Sequence, residues 1–218
     1  MKGLLRNNFY ATISNVKVFL AVMLVLGAFV MAAGEKRTLP ITGYLLLGIV
    51  GFSLNSIASL RKESVAKWNK YKLTTPVKRS VIVKSYFISL LMWVLVGMVF
   101  VGGGVALFIT LQGYPFSRTT DVFMLFVAGI AVSLFTGAIF FPLFYLGGAE
   151  RSEIFIGISL LCAIGIVQGL SVYINYLFPA PMDTIQVILG GVIILVCAVL
   201  AFALSYPLTV CLYGRKEY

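Results

Sequence analysis

Residues 41–60 read ITGYLLLGIVGFSLNSIASL, and residues 61–84, which follow at once, read RKESVAKWNKYKLTTPVKRSVIVK. The first segment is long and apolar enough to cross a bilayer, since a spanning helix needs about 20 predominantly apolar residues. The second segment holds eight of the chain's seventeen Lys and Arg residues and sets Trp68 and Tyr71 among them. The change from an apolar to a basic segment predicts a membrane helix followed by a basic, amphipathic segment on the cytoplasmic side.

The composition of the whole chain is that of an integral membrane protein. Apolar residues make up 61% of the 218 residues and charged residues 11%, which is too apolar for the core of a globule of this size. A membrane barrel would need strands of about ten residues with strict alternation, and the sequence lacks them. We therefore predict one all-α transmembrane domain over residues 1–218, with six spans at about 18–33, 41–60, 81–111, 122–147, 154–178 and 184–212.

The basic residues predict the orientation of these spans. With the N-terminus inside, fourteen of the seventeen Lys and Arg residues lie on cytoplasmic loops or ends, and only Lys36, Arg37 and Arg118 lie outside. Both termini are therefore expected in the cytoplasm. The net charge of +10 then faces the anionic inner leaflet of the lipid bilayer, and because no nucleic-acid-binding module is present we expect no nucleic-acid partner.

The N-terminal segment 1–17 is expected to be an amphipathic interfacial helix rather than a cleaved signal peptide. Polar residues interrupt the segment, and the continuous apolar run begins only at Val18. Its apolar residues recur near helical spacing, at Met1, Leu4, Leu5, Phe9 and Ile13.

No catalytic or metal-binding constellation is visible in the sequence. The chain has no His, and its three Cys residues form no CxxC motif, which excludes His-containing zinc sites and His-based triads. Glu150 and Glu153 have the spacing of a metal-binding or acid–base pair, but Arg151 between them favours a solvated helix start. We therefore predict no catalytic residue, no metal and no cofactor in this chain. Since it has no Walker loop, any ATP must be hydrolysed by another chain.

Three polar residues within the spans are candidates for a substrate path: Asn55 in the second span, and Gln168 and Asn175 in the fifth. Each side chain could instead make an interhelical hydrogen bond. The spans carry essentially no charged residue, which argues against an ion-coupled transporter and favours an apolar or amphipathic cargo. Gly165 and Gly169 form a GxxxG pattern, which predicts close approach of another helix.

Residues 61–80 are predicted to form a cytoplasmic coupling segment between the second and third spans. Ser64 can cap a short helix over Val65–Lys72, and Pro76 ends it because the residue before a proline avoids helical geometry. Such a helix, held by spans at both ends, can dock in a groove of a partner protein and pass its movement to the spans. The alternative is an interfacial helix that only anchors the topology.

This segment resembles a signature of type-2 permeases of ATP-binding-cassette (ABC) transporters, namely the small permeases that export phenol-soluble modulins and antimicrobial peptides. The family pattern E…W.KY..TLP.SR..IV.SKY is matched here at Glu63, Trp68, Lys70, Tyr71, Pro76, Arg79, Val83 and Tyr86. The sequence departs from the pattern at Thr75 and Lys78, and in the order of Lys84, Ser85 and Tyr86. An MKGLL start and a YGRKEY end extend the resemblance over nearly the full length.

The resemblance implies an exporter permease in a bacterial plasma membrane, with two cytoplasmic ABC ATPase subunits that use ATP and Mg. It also implies a second permease copy in a homodimer, and amphipathic peptides, drugs or lipids as cargo. Docking to the ATPase is implied for Glu63, Lys67, Trp68, Lys70, Tyr71 and Leu73, with the aromatic residues as apolar anchors and the lysines at an acidic rim. The alternative left open is the solute-binding membrane subunit of an energy-coupling-factor importer.

Overall fold

In a computed structural model the described residues of the chain form six long α-helices that alternate in direction. The structure describes residues 2–32, 38–65, 78–116, 118–148, 150–178 and 183–215, and contains no strand in these ranges. Each of the six helices is long and apolar enough to cross a membrane, which confirms the predicted all-α membrane class. The helices are α1 (Lys2–Ala32), α2 (Thr38–Val65), α3 (Arg79–Gln112), α4 (Thr119–Gly147), α5 (Ser152–Leu177) and α6 (Thr184–Arg215).

The ends of the helices follow from local chemistry. Gly113 and Gly148 stop α3 and α4 with φ values of 85° and 83°, a conformation that glycine adopts without a steric penalty. Each donates its N–H to the carbonyl of a residue in the last turn, which satisfies one of the free acceptors there. At the start of α4, the Asp121 carboxylate accepts a hydrogen bond from the backbone N–H of Arg118.

Two central helices organise the bundle. The apolar stretches of α2 and α4 are 50% and 56% buried, against 17% for α1 and α5. Helices α1 and α3 pack on α2, while α5 and α6 pack on α4, and α3 also contacts α6. The contact between α2 and α5 is small. A gap separates these two helices, and α4 forms the bottom of the gap.

A serine of α6 supplies the hydrogen bond that a proline inside α4 removes. Pro142 lacks an N–H, so the carbonyl of Ala138 has no donor within its own helix. Ser205 of α6 supplies one, with its Oγ 2.6 Å from the Ala138 oxygen. Pro207 lies in the adjacent turn of α6. The hydrogen bond therefore joins the proline-containing parts of the two helices.

The structure corrects the prediction of a separate N-terminal helix, because residues 2–32 form one uninterrupted helix. Two of the polar residues that interrupt the apolar pattern make hydrogen bonds. Asn8 Nδ2 donates to Ser85 Oγ at 3.1 Å, and Thr12 Oγ1 donates to the Asn8 carbonyl at 2.8 Å. With 31 residues α1 is about 46 Å long, more than the roughly 30 Å of a hydrocarbon core. An interfacial location for its first turns stays a prediction.

The second helix continues beyond the predicted end of its span. Its helical backbone reaches Val65, so Ser64 lies inside α2. Residues 66–77, which carry the rest of the predicted coupling helix, lie outside the described residues.

Candidate functional site

One end of the bundle, here called the basal end, is where α1 and α3 begin and α2 ends. Helix α6 ends there too, because Arg79 Nη1 donates to the carbonyls of Tyr213 and Gly214 at 3.2 and 2.9 Å. Both ends of the described chain therefore lie at the same end of the bundle. Among the basic side chains that the structure describes, only Arg118 lies at the opposite, apical end. A cytoplasmic location of the basal end is what the positive-inside rule predicts.

Buried polar residues line the interface of α1, α2 and α3 toward the basal end. Two pairs connect neighbouring helices, with Ser56 Oγ 3.3 Å from Ser89 Oγ and Asn8 bonded to Ser85. Small hydroxyl residues allow close approach of membrane helices and add hydrogen bonds between them. We call this set the polar seam: Asn8, Thr12, Ser53, Ser56, Ser59, Glu63, Ser85 and Ser89.

The basal end of the polar seam is the carboxylate of Glu63. Its Oε1 accepts a hydrogen bond from Asn7 Nδ2 of α1 at 2.8 Å, and its Oε2 accepts one from Tyr86 Oη of α3 at 2.5 Å. Glu63 is only 6% exposed and Tyr86 only 4%. Because a hydrogen bond to a charged group contributes about 1.5–3 kcal/mol, this carboxylate is a strong link between three helices.

Glu63, predicted at the start of the coupling helix, is instead part of α2, and its role in ATPase docking stays a prediction. It lies in the last part of α2 and its side chain faces the bundle. A signal for this was present in the sequence, since Ser53, Ser56, Ser59 and Glu63 recur at helical spacing on one face. The other predicted docking residues, Lys67, Trp68, Lys70, Tyr71 and Leu73, lie outside the described residues.

The residues before Glu63 contact further helices. Arg61 forms an ion pair with Glu153 of α5, and Lys62 donates to Asn15 Oδ1 of α1. The Arg61 and Glu153 side chains are 42% and 69% exposed, so their pair adds little stability. The exposure of Glu153 is consistent with the solvated position predicted for it. No group of three potential metal ligands occurs among the described residues.

A groove opens between α2 and α5, on the opposite side of the bundle from α1. Its apical part is a cavity of about 510 Å³ that includes the polar residues Thr38, Thr42, Asp121, Gln168 and Ser171. An adjoining cavity of about 400 Å³ has mainly apolar walls, including Leu46, Leu47, Val50, Val132, Leu160 and Ile164. The two cavities share Ala128, Val167 and Gln168, so they form one continuous groove. We call it the α2–α5 groove.

Of the three predicted substrate-path residues, only Gln168 lines the α2–α5 groove, at the junction of its polar and apolar parts. Asn55 donates to the carbonyl of Gly51 in its own helix at 2.8 Å. Asn175 is exposed on α5 and lines neither cavity. The sequence reasoning missed the hydroxyl residues and Asp121 at the mouth of the groove, because they lie near the ends of the helices.

The GxxxG pattern of α5 does not pack closely on another of the described helices. A Cβ atom built on Gly165 or Gly169 would meet no atom within 4 Å. The neighbouring side chains Leu161 and Val172 are 71% and 66% exposed. This side of α5 therefore faces away from the bundle.

These features define a multi-pass membrane protein with a tightly bonded basal end and an open groove. The family model for "ABC-2 family transporter protein" matches residues 3–214, nearly the whole chain. The chain belongs to this family, and it is a membrane permease subunit of an ABC transporter, which works with ABC ATPase subunits. Searches of curated proteins and of solved structures gave no match.

Proposed function

We propose that this chain is the permease of an exporter that moves amphipathic or hydrophobic cargo across the plasma membrane. The α2–α5 groove is the observation that carries the proposal. Its mouth offers hydroxyl, amide and carboxylate groups, whereas its inner part offers aliphatic walls. A molecule with a polar head and an apolar body would find matching surfaces along the groove, as binding sites commonly provide them.

Energy enters this exporter at the basal end. Two ABC ATPase subunits bind there, beneath two copies of the permease, and ATP with Mg is bound and hydrolysed in the ATPases. Trp68 and Tyr71 insert into a groove of the ATPase, and Lys67 and Lys70 contact its acidic rim. Closure of the two ATPases draws the coupling segments together and rocks the helices between inward-facing and outward-facing arrangements.

Inside-out membrane vesicles test the proposal. The vesicles contain the chain and its ABC ATPase, and a fluorescent amphipathic peptide and ATP are added outside. Export predicts ATP-dependent accumulation of the peptide in the vesicles. The Trp68→Ala/Tyr71→Ala variant should co-purify with at least about thirtyfold less ATPase, because a single aromatic anchor at an interface contributes about 2 kcal/mol.

The matched control is Tyr173→Ala/Tyr176→Ala, which removes two exposed aromatic side chains from the apical half of α5. This control should bind the ATPase like the wild type. Equal ATPase binding by the Trp68/Tyr71 variant would contradict the docking role. ATP-driven release of peptide from loaded inside-out vesicles would contradict export.

A further inference from the structure

We propose that Glu63 is a positioning residue that passes the movement of segment 66–77 to α1 and α3. The proposal rests on the proposed function, because it requires an ATPase that moves this segment. The segment joins the end of α2 at Val65 to the start of α3 at Arg79. Glu63 is therefore in the last turn of helix through which any displacement of the segment reaches α2.

The geometry of the carboxylate makes it a link rather than a single contact. One oxygen is bonded to Asn7 of α1 and the other to Tyr86 of α3, at 2.8 and 2.5 Å. Tyr86 lies about two turns after the start of α3 at Arg79, so it is not in the first turn, which directly follows segment 66–77. A shift of α2 thus acts on α3 within its body and on α1 near its first turns.

Burial gives this link its stiffness. Because Glu63 and Tyr86 are almost fully buried, water cannot readily replace the Tyr86 hydroxyl as a donor if α2 and α3 separate, whereas Asn7 is exposed and its bond to Glu63 is only partly buried. Separation would leave buried polar groups without partners, which is costly in a region of low dielectric constant. The basal parts of α2 and α3 therefore move together, and the buried bond from Asn8 of α1 to Ser85 of α3 adds α1 to them.

An exposed carboxylate of the same end provides the contrast. Glu153 is 69% exposed, and water can replace Arg61 as its partner. Helix α5 can therefore change its distance from α2 at little cost. Movement of segment 66–77 is passed selectively to α1 and α3, while α5 is free to open or close the α2–α5 groove.

The test uses Glu63→Gln and Tyr86→Phe in the full permease, reconstituted with its ABC ATPase. Three quantities are measured: the amount of bound ATPase, the rate of ATP hydrolysis, and the amphipathic peptide moved per ATP. We expect bound ATPase to stay at the wild-type level and peptide moved per ATP to fall about tenfold, the scale of one lost hydrogen bond to a charged group. A merely structural role would lower all three quantities together.

Two control variants match the chemistry of these changes. Glu153→Gln removes an exposed carboxylate from the basal end, and Tyr44→Phe removes a buried phenol hydroxyl from α2 far from Glu63. Both should transport like the wild type. The double variant Glu63→Gln/Tyr86→Phe should be no worse than the more impaired single variant, since both changes break the same link.

Wild-type transport per ATP in Glu63→Gln and Tyr86→Phe would overturn the proposal, and so would a parallel loss of ATPase binding. Should Glu63→Gln fail to fold, Tyr86→Phe alone decides, because it removes one hydroxyl and keeps the carboxylate. A wild-type chain that binds no ATPase would overturn the proposed function as well. That result is obtained before any variant is compared, so the two failures are distinguishable.

Discussion

The side of the bundle formed by α1, α2 and α3 differs from the side formed by α5. On the first side, buried side chains bond one helix to another through the polar seam, ending at Glu63. On the second side, α5 rests mainly on α4, exposes much of its length and leaves the α2–α5 groove open. The difference separates a stiff region, next to the segment predicted to receive energy, from an open region that contains the proposed cargo site.

Two glycines, Gly48 of α2 and Gly165 of α5, differ in packing in the same direction. A Cβ atom on Gly48 would overlap Val101 Cγ2 and approach Met23 Cε to 3.0 Å, so α2 and α3 touch closely there. A Cβ atom on Gly165 would meet nothing within 4 Å. At these two positions, close approach therefore belongs to α2 and α3 and not to the GxxxG pattern on which we based the prediction. Helix α5 has close contacts elsewhere, since Phe155 lies against Gly147 of α4 and Ile174 against Gly190 of α6.

The largest effect is expected from adding a methyl group on the tight side. Gly48→Ala should lower the free energy of unfolding in mixed micelles by about 1–3 kcal/mol, the usual cost of overpacking. Val101 cannot turn aside easily, because a β-branched side chain has one preferred rotamer in a helix.

The matched variant on the open side is Gly165→Ala. It should raise the free energy of unfolding by less than about 1 kcal/mol, because alanine is favoured over glycine in a helix and makes no new contacts here. Equal destabilisation by both variants would remove the contrast between the two sides.

A smaller effect is expected where α6 supports α4. Ser205→Ala should lower the free energy of unfolding by about 1 kcal/mol, since the buried carbonyl of Ala138 then loses its donor. Pro142→Ala would return a backbone N–H to this carbonyl. Ser205→Ala should therefore cost less in the Pro142→Ala background, and additive effects in this cycle would contradict the assigned role of Ser205.

The six helices could be predicted from the sequence because a membrane span is a local property. Its length and apolar content decide it, whatever its neighbours are. The helix bounds were less predictable. Helix α2 extends to Val65 because the buried bonds of Glu63 stabilise turns that look like a basic loop in the sequence. Likewise, α1 includes residues 2–17, where Asn8 has a partner in α3 that only packing reveals, and Thr12 bonds the Asn8 carbonyl of its own helix.

The candidate sites were predicted only in part, for a related reason. Gln168 is conspicuous as a polar residue in an apolar span, and it does line the α2–α5 groove. The mouth of the groove, with Thr38 and Asp121, depends on how far apart α2 and α5 lie, which no pattern within either helix specifies. Glu63 belonged to a recognisable polar face of α2, but its partners come from α1 and α3.

The smallest effect is expected where the loosely held helix meets the basal end. Glu153→Gln removes the ion pair with Arg61 and should lower the free energy of unfolding by less than about 0.5 kcal/mol, because exposed pairs are screened by solvent and salt. The difference from the wild type should vanish in high salt. A loss of several kcal/mol that persists in high salt would show that α5 is held as firmly as α1 and α3. In that case α5 could not move independently of them.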